Sequence, residues 1–503
     1  MLPTGGYRYF FGAVAAVFLV VQAFCAGVSV GPNVADQFYP GDPAQLSAAV
    51  EQYLKEAAPK KFEGELLGAL VPHAGYIYSG RIAAMTFKAL EGRQFSTVIL
   101  VGSGHYMKVR GAATIAQGSL KTPLGAVSVN AELVRELVKM TPLIEDNPKA
   151  FEREHSIEAE LPFLQKILGQ FSLVPLLMNN FDPAVAEKIG KAVALIAKSS
   201  STLLLVSTDF SHYPHKDLAD RADRSVLGAL GPALEDPWYF WMASRSVLER
   251  GGTDLQTTGC GEAGLLMALY AFKEMGANRV TTLAYANSGS LPHGDLARTV
   301  GYAAVVWSRA KTPAPAEPAL ARQERKILLS LARRSIENYL AKKEEPKPKL
   351  WDNPVFNLPA NVFVTLKRRG LPPGQALRGC IGSTQVHLPL AEAVAYYAIA
   401  SATQDHRFRP VELKELAGLQ IEISRLSTYR QAPNAEALRA GKDGVWLIQA
   451  EQSGLFLPQV WEQIPGKTDF LEELCEQKAA LPRDCWKNPK THLLTFTVEE
   501  FSD

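Results

Sequence analysis

The sequence predicts an α/β protein of two domains, a larger one at 30–310 and a smaller α+β one at 321–503, joined by a linker at 311–320. Three observations carry this. Continuous apolar runs alternate with helical patterns up to about Trp307, as in parallel sheets whose strands are buried on both faces. The stretch Lys311-Thr-Pro-Ala-Pro-Ala-Glu-Pro-Ala then holds three prolines and no apolar run, which makes a semi-rigid spacer. Beyond it the pattern changes to one long helix and then to short strands, turns and helices. A chain of 503 residues, 47% hydrophobic and 21% charged, has the material for two sizeable cores. Its net charge of +2 gives no electrostatic argument for a nucleic-acid partner. Five cysteines are too few for a disulfide-built scaffold, but they leave room for individual reactive or metal-binding thiols.

Taken in order, the elements begin with a leader. No charged residue lies between Arg8 and Asp36, and the apolar run from Phe10 is followed by small residues. Residues 1–29 therefore read as a signal peptide or membrane anchor, with the body exported, periplasmic or tethered at an inner membrane and the cytoplasm as the alternative. Leu66-Leu-Gly-Ala-Leu-Val leads into Pro72-His-Ala-Gly-Tyr, and Thr97-Val-Ile-Leu-Val leads into Gly102-Ser-Gly-His. Thr202-Leu-Leu-Leu-Val leads into Ser207-Thr-Asp-Phe-Ser-His. In open α/β sheets ligands bind at the carboxyl ends of strands, so His73, His105, Asp209 and His212 are expected to share a site.

His155 stands in Glu152-Arg-Glu-His-Ser-Ile-Glu, where Ser156 is expected to cap a helix. There Glu154, Glu158 and Glu160 should favour the charged imidazole. Cys260 precedes an apolar helix, a position whose dipole and free amides lower a thiol pKa, although a small buried residue at a tight turn fits the same spacing. Two histidines and a thiolate suit iron, copper or zinc.

In the second domain a helix from Ala321 carries Ile327, Leu328, Leu331, Ile336 and Leu340 on one side. Arg378-Gly-Cys-Ile-Gly offers Cys380 as a reactive thiol and Arg378 as an anion anchor, or else a tight strand connection with an inert thiol. Cys475 and Cys485 lie ten positions apart and pair only if their Cα separation allows.

Residues 31–307 resemble the Memo family, whose fold is similar to class III extradiol ring-cleaving dioxygenases. The carrying stretches are Gly31-Pro-Asn, Pro72-His-Ala-Gly-Tyr, Gly102-Ser-Gly-His, Glu154-His-Ser-Ile-Glu, Ser207-Thr-Asp-Phe-Ser-His, Cys260-Gly and Tyr285-Ala-Asn-Ser. The resemblance implies an extradiol-dioxygenase-like α/β first domain with His73, His105 and Cys260 as metal ligands. It implies iron or copper ahead of zinc, with Asp209, His212 and His155 as catalytic groups beside the metal. A thiolate where the dioxygenases carry a carboxylate argues against ring cleavage itself.

Residues near 322–500 resemble the AMMECR family through Leu377-Arg-Gly-Cys-Ile-Gly-Ser, Asp405-His-Arg-Phe-Arg-Pro and Gly454-Leu-Phe-Leu-Pro-Gln. His406 stands where that family commonly has proline. The two parts resemble the B and A proteins of the AmmeMemoRadiSam system, which implies a radical-SAM partner protein. The expected function is a metal-dependent redox enzyme acting on a small molecule or peptide. The alternatives are a non-catalytic binding protein and a scaffold of a modification system.

Overall fold

The computed structural model describes residues 27–503, apart from 199–200, 315–316 and 386–387. The leader expected at 1–29 lies outside the described residues except for its last three. No helix among the described residues is long and apolar enough to cross a membrane.

Eight strands form the main sheet of the first domain. In chain order they are β1 (Glu65–Val71), β2 (Thr97–Ser103), β3 (Ala112–Thr114), β4 (Ile144–Asp146), β5 (Ser172–Met178), β6 (Thr202–Ser207), β7 (Arg279–Asn287) and β8 (Gly301–Arg309). Their spatial order is β7-β8-β1-β6-β2-β5-β3-β4. Strands β1, β6, β2 and β5 run parallel, and every residue of β2 and β6 is buried. Burial on both faces explains why these strands read as unbroken apolar runs. Helices cover the sheet, and their caps are legible locally: Asp42, Asn130, Asp182 and Asp236 each accept a backbone N–H at a helix start. Because β6 lies between β1 and β2, the three strands that carry candidate residues are adjacent and end at one edge.

The second domain is α+β. Helix Arg322–Lys342 packs with helix Leu390–Thr403 against a four-stranded antiparallel sheet. That sheet comprises β9 (Asn361–Arg368), β10 (Leu377–Gly382), β11 (Leu419–Leu426) and Val498–Ser502, in the order β10-β9-β11 and then the C-terminal strand. A second four-stranded sheet has its own core around Phe470, Leu471 and Cys475, where Cys475 and Cys485 form a disulfide across a Cα separation of 6.0 Å.

The two domains touch. Leu358 packs among Ala229, Tyr239 and Ala243 of the first domain, and the Tyr239 hydroxyl donates to the Pro359 carbonyl at 2.8 Å. Arg250 grips the Glu392 carboxylate through two nitrogens at 2.5 and 2.7 Å. The proline-bearing segment is fastened at its C-terminal end, where Glu317 accepts from Arg425 at 2.6 Å and from the Thr428 amide at 2.7 Å.

Candidate metal centre

His73 leaves β1 in a loop that at once starts helix Tyr76–Leu90. Its amide donates to Asp209 Oδ1 at 3.0 Å, which ties the loop after β1 to the loop after β6. Its ring is 2% exposed, with Nδ1 2.8 Å from Ser207 Oγ. Ser207 Oγ lies 2.6 Å from the Ser156 carbonyl and 2.9 Å from Glu160 Oε1, so its own hydrogen points there and it accepts from His73 Nδ1. That turns His73 Nε2 toward Cys260, 3.1 Å from Sγ, where a metal ion would displace the proton that the ring shares with the thiolate.

His105 follows β2, and Glu154 orients it twice, through its amide at 2.7 Å and its Nδ1 at 2.8 Å. The same carboxylate also accepts the amides of His155 and Ser156 at 2.8 and 2.9 Å. Burial opposes charge on Glu154, but the His105 hydrogen bond and charge hold its carboxyl well below the usual range. An ionised Glu154 fixes a proton of His105 on Nδ1, which turns the other ring nitrogen toward Cys260.

Cys260 sits just before helix Glu262–Glu274, in a turn pressed against the end of β6. A Cβ on Gly261 would come within 2.5 Å of the Thr208 Cβ, so only glycine allows this approach. Glu262 braces the turn from below, accepting from Ser244, Thr258 and Arg245. Burial pushes the Cys260 thiol up, but the His73 charge, with the nearby His105 and His212 rings, carries it well below its ordinary value. Burial likewise works against charge on His73, yet Cys260 and Asp209 raise it to about 10.

One ligand atom each of His73, His105 and Cys260 lies within 4.8 Å of the others, as do those of Asp209, His212 and Cys260. Two imidazole nitrogens whose far sides are already held, beside a thiolate, fit a transition-metal ion that would displace their protons. The structure thus brings His73, His105, Cys260, Asp209, His212 and His155 to one edge.

Three local expectations differ from the structure. Ser156 caps no helix; its hydroxyl donates to the Ser103 carbonyl at 2.9 Å, and the α-helix starts only at Leu161. His155 is not favoured as a cation. Burial and the charge of His73 push it down to about 3, and its ring stacks on His105 at 4.6 Å with Nδ1 3.5 Å from Glu154 Oε1 but not hydrogen-bonded. Asp209 lies near His212 but is not hydrogen-bonded to it; its Oδ1 accepts the His73 amide. His212 Nε2 is buried and unpartnered.

The second-domain candidates stay apart from this cluster. Arg378 is 2% exposed and spends its guanidinium on the Arg409 and Pro410 carbonyls, at 2.9 and 3.4 Å, and on Glu415 at 3.1 Å. Its Nε is left without a partner, but the side chain is too deeply buried to meet a substrate anion. Cys380 is half-buried on β10, where its sulfur accepts from Thr365 Oγ1 at 3.2 Å and its amide donates to Asp405 at 2.8 Å.

Residues 31–306 match the family model described as Memo-like protein. The chain belongs to the Memo family. Residues 329–501 match the AMMECR1 model, so a Memo domain is followed by an AMMECR1 domain. A MEMO1 family protein of Methanopyrus kandleri is 35% identical over 289 residues, covering 55% of this chain and 98% of that protein. One from Methanocaldococcus jannaschii is 31% identical over 291 residues, covering 55% and 97%. The crystal structure of an uncharacterised protein from Pyrococcus horikoshii is 39% identical, with a TM-score of 0.33, covering 35% of this chain and 90% of its own.

Sequence reasoning missed the residues that hold the Memo cluster from behind: Glu154 as a hydrogen-bond hub, Ser207, Glu160 and Glu262. Only the run of three acidic residues at 154, 158 and 160, next to His155 and just before an apolar helix, hinted at them.

Proposed function

We propose that the Memo domain is a metal-dependent redox enzyme that holds iron or copper on His73, His105 and Cys260. The observation that carries this reading is the pinned pair of imidazoles facing a buried thiolate. The bound ion would supply Lewis acidity and one-electron redox chemistry. The chain's own residues would do the rest. His212, with Nε2 buried and unpartnered, holds or takes a proton beside the ligand cluster. His155 is kept neutral and packs against Phe38 and His105, forming an apolar wall that limits water. Asp209 keeps the His73 loop and the Cys260 turn in register through its carboxylate and its amide.

The pairing with an AMMECR1 domain supports membership of an AmmeMemoRadiSam-type modification system with a radical-SAM partner. The Cys475–Cys485 disulfide supports an oxidising compartment outside the cytoplasm.

The test is elemental analysis of the full chain with electron paramagnetic resonance before and after a reductant. About one iron or copper per chain with a reductant-sensitive signal is expected, lost in His73→Ala and kept in His212→Ala. Metal-free protein that binds a peptide or small molecule in this cleft would establish the binding-protein alternative instead.

A further inference from the structure

We infer that the cleft at Cys260 takes a substrate bearing an oxyanion, a carboxylate or a phosphate, held by two arginine–tyrosine pairs at its mouth. This rests on the reading of the cleft as an active site. Each pair grows from a site histidine. Tyr106 follows His105, lies 6.4 Å from the His155 ring and is 55% exposed, and the Arg153 guanidinium sits 5.0 Å from its centroid. Tyr213 follows His212, with ring centroids 5.5 Å apart, is 40% exposed, and carries Arg298 at 4.1 Å.

Neither Arg153 nor Arg298 has an ion pair or hydrogen bond with a described residue. Some exposed arginines are spent on carboxylates, as Arg110 is on Glu145 and Arg309 on Glu65, while others such as Arg135 and Arg334 are also unpaired. It is the placement of Arg153 and Arg298 on rings beside the site histidines that sets them apart. A guanidinium parked on an aromatic face keeps its in-plane N–H groups free, and these form the fork that fits a carboxylate or phosphate. Asp295, the acid nearest Arg298 in the chain, turns back on its own loop to accept the Ala297 amide.

The backbone at Tyr213 gives an independent sign of function. Its φ of 66° is the left-handed region, which a bulky side chain rarely enters. The segment before β8 enforces it: the Tyr213 amide donates to the Thr299 carbonyl at 2.6 Å, the Thr299 amide donates to Pro214 at 3.0 Å, and His212 bridges Val300. Strain kept by surrounding clamps is typical of sites where a side chain must be aimed. Here the clamp also brings Arg298, next to Thr299, onto the Tyr213 ring.

Titration calorimetry on the full chain, with metal content measured on every sample, tests this with benzoate, phenyl phosphate and the neutral benzyl alcohol. At least one anion should bind tenfold or more tightly than the alcohol. That preference should vanish in the Arg153→Gln, Arg298→Gln double variant, with metal content and circular dichroism unchanged. Preference for benzoate identifies a carboxylate substrate, and preference for phenyl phosphate identifies a phosphorylated one. Equal binding of anion and alcohol, no binding of any probe, or anion binding untouched by the double variant overturns the inference. A metal-free protein that still shows the arginine-dependent preference would sink the redox reading and leave oxyanion recognition standing.

Discussion

Cys260 and Cys380 are both free thiols beside glycines, each close to an arginine or histidine in space, yet the molecule uses their surroundings in opposite ways. Around Cys260 the polar groups turn their ligand atoms inward: His73 and His105 are held on Nδ1, and their other ring nitrogens meet at the thiol. Around Cys380 they are consumed by structure. Arg378 faces backbone carbonyls, Asp405 holds the Cys380 amide, and Arg407 pairs with Asp405. A site is therefore recognised by donor atoms left over after folding, not by which residue types occur together.

That contrast can be broken at several points, beginning with the largest effect. Glu154→Ala removes a buried carboxylate that satisfies four donors, and should cost about 3–5 kcal/mol in denaturant unfolding. Glu154→Gln should fold and weaken metal retention about 10–100-fold in a chelator competition. Unchanged retention would mean that the His105 orientation does not matter.

Arg378→Met should destabilise the AMMECR1 domain by about 2–4 kcal/mol, because two carbonyls and Glu415 lose their partner. It should leave the metal content of the Memo domain as it was. A neutral effect on melting would restore Arg378 as a candidate anion anchor.

Cys380→Ala should cost no more than about 1 kcal/mol, since it removes one weak acceptor at a half-buried place. Asp405 sharpens the comparison through pH. Its hydrogen bond from Arg407, foremost, holds its carboxyl well below the usual range against the effect of burial. A depressed folded-state value contributes stability above the unfolded pKa of about 3.9, lost as pH falls below it. The advantage of the parent over Asp405→Asn in thermal melts should therefore be constant near pH 7 and shrink below about pH 4. An advantage that grew on acidification would contradict the ion-pair account.

Much of the Memo site was legible because parallel strands buried on both faces announce themselves as apolar runs, and the residue after each run must lie at the sheet edge. His73, His105, Asp209 and His212 were placed that way. The hub that orients them was not legible. Glu154 reaches His105 across 49 residues of chain and Glu160 reaches Ser207 across 47, and no local pattern encodes such meetings. Ser156 followed a local capping rule on paper, but the Ser103 carbonyl, brought in by the fold, offered its hydroxyl a buried partner. Arg378 misled for a related reason. Charged side chains are seldom fully buried, so an arginine beside a thiol reads as free until the carbonyls that surround it are seen.

The central claim, that one transition-metal ion is held by two imidazoles and the Cys260 thiolate, is tested most directly by X-ray absorption at the metal edge of the purified full chain. The account predicts one sulfur and at least two nitrogen scatterers around iron or copper, with the sulfur shell gone in Cys260→Ser. A metal surrounded only by nitrogen and oxygen, or a sulfur shell that survives Cys260→Ser, would contradict it.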